Sequence, residues 1–145
     1  MSRPAETAGV ADADRVIDEM SDETAAIVLT TPSNPTGRVY DQAACRAVVE
    51  AAADHDAYVI ADEVYLGLTY DGPGQGIAAY TDHPEHVLTV GSCSKTYAMT
   101  GWRLGWLAGD RHLTDEVVTI HESTTACASS VAQHAAIAAL TGPQK

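Results

Sequence analysis

GSCSKTYAMTGWRLG, residues 91–105, is the stretch from which the rest of the chain can be read. At its centre stands Lys95, one of only two lysines; the other, Lys145, ends the chain. Six of the eight basic residues are arginines, so a lysine set mid-chain among serines and small residues marks a task that arginine does not do. A lysine that sheds its proton is a nucleophile and a base, whereas an arginine stays charged. Ser92 and Ser94 offer hydroxyls, and Arg103, eight residues beyond Lys95, offers a fixed fork of N–H donors. That set suits a phosphate. The plain alternative, for this stretch alone, is a polar loop with a solvated lysine.

Working outward, HVLTV at 86–90 reads as a strand running into the lysine stretch. AYVIA at 57–61 reads as another, ending on Asp62, Glu63 and Tyr65. TAAIVLT at 24–30 is a third apolar run, stopped by TPSNPTG at 31–37, where two prolines and a glycine exclude regular structure. Between the first two runs in chain order, Asp41 is the predicted N-cap of a helix through about His55, with Cys45, Val48, Val49 and Ala52 as its apolar stripe. Strand, crossover helix and strand within about 40 residues predict a parallel pair. RLGWLA at 103–108 reads as a fourth strand. About a dozen residues separate it from the third, too few for a helical crossover, so this pair is predicted antiparallel.

The remaining segments frame this core. Helices are predicted over 14–20, 114–121 and 131–140, the last two separated by the small-residue break STTACASS. Residues 70–84 are turn-rich and read as a surface excursion, and residues 1–12 as a frayed lead-in. The expected fold class is α/β: three parallel strands plus a fourth antiparallel strand, ordered first to fourth, with flanking helices.

Composition narrows the function. The chain has 145 residues and a formal net charge of -12, from 20 acidic against 8 basic residues. That balance argues against nucleic acid and anionic membrane as partners. Acids spread along the chain, with lysine scarce, fit a protein adapted to high salt. Cys45, Cys93 and Cys127 are odd in number and widely spaced, without metal or disulfide spacing, so a reducing cytoplasm is the expected location. No apolar run approaches the roughly 18 residues of a membrane span. The six histidines show no ligand spacing with acids or cysteines.

Asn34, Asp62 and Ser92 are each expected just past the carboxyl end of one of three successive strands, the rim on which open α/β sheets bind ligands. Each has a bland explanation alone: turn residue, helix cap, loop hydroxyl. Three on one rim beside an isolated lysine point to one site. Glu63, next to Asp62, is expected to face the other side of the strand and is not assigned to the site. Cys93 is as readily a small packing residue as a reactive thiol.

SNPTG at 33–37, ADEVY at 61–65 and SCSKTYAMTGWRLG at 92–105 together resemble the three successive signatures of the class I/II aminotransferases, fold type I enzymes dependent on pyridoxal 5′-phosphate. The resemblance covers essentially the whole chain. It implies that Lys95 forms the Schiff base with the cofactor aldehyde and that Asp62 pairs with the pyridine nitrogen. Asn34 and Tyr65 would bond the phenolic oxygen, and Ser92 and Arg103 would hold the phosphate, with help from Ser94. It also implies a cis Asn34–Pro35 bond, amino acid and 2-oxo acid substrates, and a homodimer.

Set against the family, residues 1–145 are expected to be a partial cofactor-binding large domain, without the N-terminal part of that domain and without the C-terminal small domain. An aminotransferase is therefore one expectation. The alternatives are a truncated, inactive relative that binds the cofactor weakly or not at all, or a lyase or synthase on the same scaffold. Unpaired outer strands are expected to leave the isolated chain poorly soluble or oligomeric, with little transaminase activity. A nucleotide hydrolase, suggested by VIADE at 59–63 and SKT at 94–96, fails on sequence. The phosphate loop needs glycines where Ser94 and Thr89 stand.

Overall fold

In the computed structural model, residues 13–70, 72 and 74–144 are described. The lead-in reading for residues 1–12 lies outside them. Four strands, β1 (Ala26–Thr30), β2 (Tyr58–Asp62), β3 (Val87–Ser92) and β4 (Gly105–Ala108), form one sheet in the order β1-β2-β3-β4. β1, β2 and β3 run parallel, and β4 returns antiparallel to β3, as the connection lengths require.

The crossover between β1 and β2 is helix α2 (Gln42–Asp54). Its N-cap is Asp41, whose carboxylate accepts from the Ala44 amide at 2.9 Å and satisfies one of the orphan donors of the first turn. Cys45, Val48, Val49 and Ala52 line its buried face, as the apolar spacing predicts. They pack on Leu29, Val59, Ala61 and Val87 of the sheet. Each buried valine or leucine among them contributes roughly 1.5–3 kcal/mol by leaving water. Val16, Ile17 and Met20, in and just after α1 (Ala13–Asp18), cover the edge of the same cluster.

The far side of the sheet is less covered. Val28, in register with Ile60, is 66% exposed. α4 (Arg111–Thr124) buries no residue, and α5 (Ser130–Thr141) buries only Ala132 and Ala136. Among the described residues, no helix is long and apolar enough to cross a membrane.

Several expectations shift. β3 begins at Val87, because His86 closes a 3-10 turn, Pro84–His86, and its ring Nδ1 donates to the Ala57 carbonyl at 2.8 Å. Asp62 and Ser92 are the last residues of their strands instead of lying past them. α4 starts a turn earlier than Thr114, at Arg111, because Asp110 caps it by accepting from the His112 amide at 2.8 Å. β4 starts at Gly105, since Arg103 sits in the left-handed region at φ 51, which no strand residue adopts. The excursion expected on the surface at 70–84 also sends Ile77, 1% exposed, into the core.

Candidate functional site

The rim at the carboxyl ends of β1, β2 and β3 carries the residues singled out above. The loop after β1 contains two cis bonds, Thr31–Pro32 and the expected Asn34–Pro35. Thr31 is buried, and its Oγ1 accepts from the Tyr40 amide at 3.2 Å, tying the loop back to the start of α2. Asn34 is exposed on this loop and its Nδ2 donates to Tyr65 Oη at 3.4 Å.

Strand alternation sorts the two acids of β2. Val59 and Ala61 face α2, so Asp62 points to the opposite face, half-buried, level with Thr30 on β1 and Val90 on β3. Its Oδ1 accepts from the Val64 amide at 3.4 Å. Glu63 turns the other way and is 8% exposed. Two positions beyond Val90, Ser92 shares the Asp62 face.

Ser92 then opens the single-turn helix α3 (Cys93–Thr96). Its Oγ accepts from the Ser94 amide at 3.0 Å and donates to the Leu104 carbonyl at 3.3 Å, so the lysine turn is held from both sides. Cys93 is fully buried against Met99 and Ala136, and burial pushes its thiol pKa up; it is a packing residue. Lys95 projects outward with its Nζ 5.6 Å from the centroid of the Tyr65 ring. The ion pairs among the described residues, His55–Asp22, His83–Glu85 and Arg111–Asp115, leave Lys95 out.

Asn34 from the loop after β1, Tyr65 from the turn after β2 and Lys95 from α3 are thus brought together, with Asp62 and Ser92 on adjoining strand ends. Arg103 is not drawn to them: its Nη1 donates to the Thr100 carbonyl at 3.0 Å, within its own turn. Four of its five N–H donors have other directions open. No group of three or more His, Cys, Asp or Glu among the described residues is placed to hold a metal.

The family model for aminotransferase class I and II matches residues 5–145. The chain belongs to that family. Among its relatives is the probable aspartate aminotransferase of Methanocaldococcus jannaschii, 38% identical over 140 residues, covering 92% of this chain and 36% of the relative. The aspartate/prephenate aminotransferase of Thermus thermophilus is 36% identical over 139 residues, 93% of this chain and 34% of its own. The crystal structure of the aspartate aminotransferase from Rhizobium meliloti superposes with a TM-score of 0.88 at 32% identity, over 100% of this chain and 37% of that one. The chain therefore spans about a third of the length of the aminotransferases it matches.

Glu63 Oε1 accepts from the Ile77 amide at 2.6 Å, a bond inside the core. Burial raises the Glu63 pKa, and the Ile77 amide opposes that rise by favouring the charged form. The alternation of β2 placed Glu63 on the inner face, but nothing in the local pattern names its partner fourteen residues on.

Proposed function

We propose that this chain anchors pyridoxal 5′-phosphate for an aminotransferase that moves an amino group between an amino acid and a 2-oxo acid, with Lys95 as the Schiff-base lysine. Residues 1–145 would supply the cofactor-anchoring part of a large domain, working as a homodimer. The observation that carries the reading is the meeting of Lys95, Tyr65 and Asn34 on the sheet rim, with the Lys95 amine 5.6 Å from the Tyr65 ring and outside every ion pair among the described residues.

The residues fit the cofactor. An amine not locked to a carboxylate is available for condensation with an aldehyde. The Asn34 amide donates to the Tyr65 hydroxyl at a loose 3.4 Å, so two groups able to donate to an anionic ring oxygen stand side by side. Asp62 offers a carboxylate on the sheet face it shares with Ser92, and Ser92 and Arg103 offer donors for a phosphate.

Bound pyridoxal phosphate supplies an electron sink for charge developing at the substrate's α-carbon. Asp62 would oppose the positive charge of a protonated ring nitrogen, and Tyr65 with Asn34 would hold the phenolic oxygen as its anion. Ser92 and Arg103 would hold the phosphate, and Lys95, as a free amine, would take and return a proton as general base. The groups that choose among bonds at the α-carbon decide between transfer and elimination, and the fold alone does not.

The test is a titration with pyridoxal phosphate followed by visible absorption. The wild-type chain should develop a saturable band whose pH dependence moves in Tyr65→Phe, and Asp62→Ala should bind more weakly. A band absent at saturating cofactor, or unchanged in both variants, overturns the proposal.

A further inference from the structure

Among the described residues, Glu63 and Thr31 are the buried polar residues, and Glu63 alone of the two is ionisable. Its carboxylate does more than satisfy itself. Gly76 lies so close that a Cβ there would come within 2.8 Å of Glu63 Oε2, and the next amide, Ile77, donates to Oε1 at 2.6 Å. The Ile77 side chain sits in the main core cluster. Backbone bonds tie the other end of the same turn. The Glu63 amide donates to the Val90 carbonyl of β3 at 3.0 Å, and the Glu63 carbonyl accepts from Leu66 at 2.9 Å.

Tyr65 lies inside that closed turn. Its own carbonyl accepts from Leu68 at 2.9 Å, and Gly67 presses against Thr96, the neighbour of Lys95, so closely that a Cβ would meet Thr96 Cγ2 at 2.6 Å. The turn is therefore pinned on one side by the lysine helix and on the other by the Glu63 carboxylate. Between those pins the Tyr65 ring stands under the Lys95 ammonium and its hydroxyl meets Asn34.

We propose that Glu63 is a positioning residue: by holding the Ile77 amide in the core it keeps the 63–67 turn seated, and so sets the Tyr65 ring against Lys95 and Asn34. The importance of Tyr65 rests on the cofactor reading above; the geometry does not. Glu63 touches none of the reacting groups and acts through Tyr65.

The experiment needs no cofactor. With two lysines in the chain, ε-carbon labelling gives two resolved signals, and protons of Lys95 over the Tyr65 face are shifted upfield relative to Lys145. Tyr65→Leu gives the unshifted reference. Glu63→Ala removes the acceptor, and the Lys95 signal is expected to move most of the way to that reference. Glu63→Gln keeps an acceptor oxygen and should restore the wild-type position, a rescue that mere loss of stability would not produce.

Should Glu63→Ala not fold, Glu63→Asp, which withdraws the carboxylate by one methylene, makes the same comparison. A folded Glu63→Ala or Glu63→Asp chain with the wild-type Lys95 signal overturns the proposal, as does Glu63→Gln behaving like Glu63→Ala. Adding pyridoxal phosphate afterwards tests the cofactor reading separately, through the visible band.

Discussion

Three thiols in this chain sit in three environments, and their reactivity reports the packing directly. Cys45 and Cys93 are buried and Cys127 is exposed. Burial, aided by Asp41 and Glu63, pushes the Cys45 pKa from 9.0 up to about 11. With an aromatic disulfide reagent at neutral pH, one thiol should react at once, and the other two only on unfolding. Prompt reaction of all three would contradict the packing around α2 and α3. The sign of the pH effect follows from linkage. Because the folded chain holds the Cys45 proton more tightly than the unfolded chain, this contribution to stability is complete below pH 9.0 and is lost as pH rises through about 11. Denaturation midpoints should fall across that window, and Cys45→Ala should flatten the fall while lowering the whole curve. A profile equally steep in the variant would assign the effect elsewhere.

The elements themselves stand on local signals of unequal strength. Asp41→Ala leaves an amide of the first turn of α2 without its acceptor, and about 1 kcal/mol of stability should go with it, read from the denaturation midpoint. A loss of zero would mean that water replaces the cap. The order and direction of the strands were legible because each parallel strand is a short, nearly continuous apolar run with a turn signal after it. α2 was legible because Asp41 and a clean apolar stripe bracket it. α4 was placed late because its first turn, Arg111 to Thr114, has no apolar period, and the start depends on Asp110 alone. Ile77 was missed because IAAY at 77–80, behind a glycine-rich stretch, is too short to show a period. The same limit applies to the site. Asn34, Asp62 and Ser92 were singled out from strand ends and Lys95 as an isolated mid-chain lysine, but the Glu63–Ile77 bond and the turn of Arg103 toward Thr100 are set by contacts that no spacing rule reports.

At the scale of the whole molecule, exposed apolar surface and net charge pull in opposite directions. Val28, Ile120, Val131 and Ile137 are each more than half exposed, at 66%, 64%, 66% and 58%, and β1 and β4 end the sheet without further partners among the described residues. Unpaired edges and apolar faces favour association. Sedimentation should show concentration-dependent species heavier than 15.2 kDa, and a monodisperse monomer would contradict this. The charge of -12 opposes compaction and self-association by mutual repulsion, which salt screens. Raising potassium chloride from low to moderate ionic strength should therefore raise the unfolding midpoint; a fall would show that attractive pairs dominate the surface.

The function proposed for this chain depends on one amine, that of Lys95. Because the chain has only Lys95 and Lys145, reduction of the cofactor-loaded protein with borohydride followed by peptide mass spectrometry gives an unambiguous readout. The account predicts that the pyridoxyl group is found on Lys95 and that Lys95→Ala takes up none. A label on Lys145, or equal labelling of the Lys95→Ala chain, would contradict it.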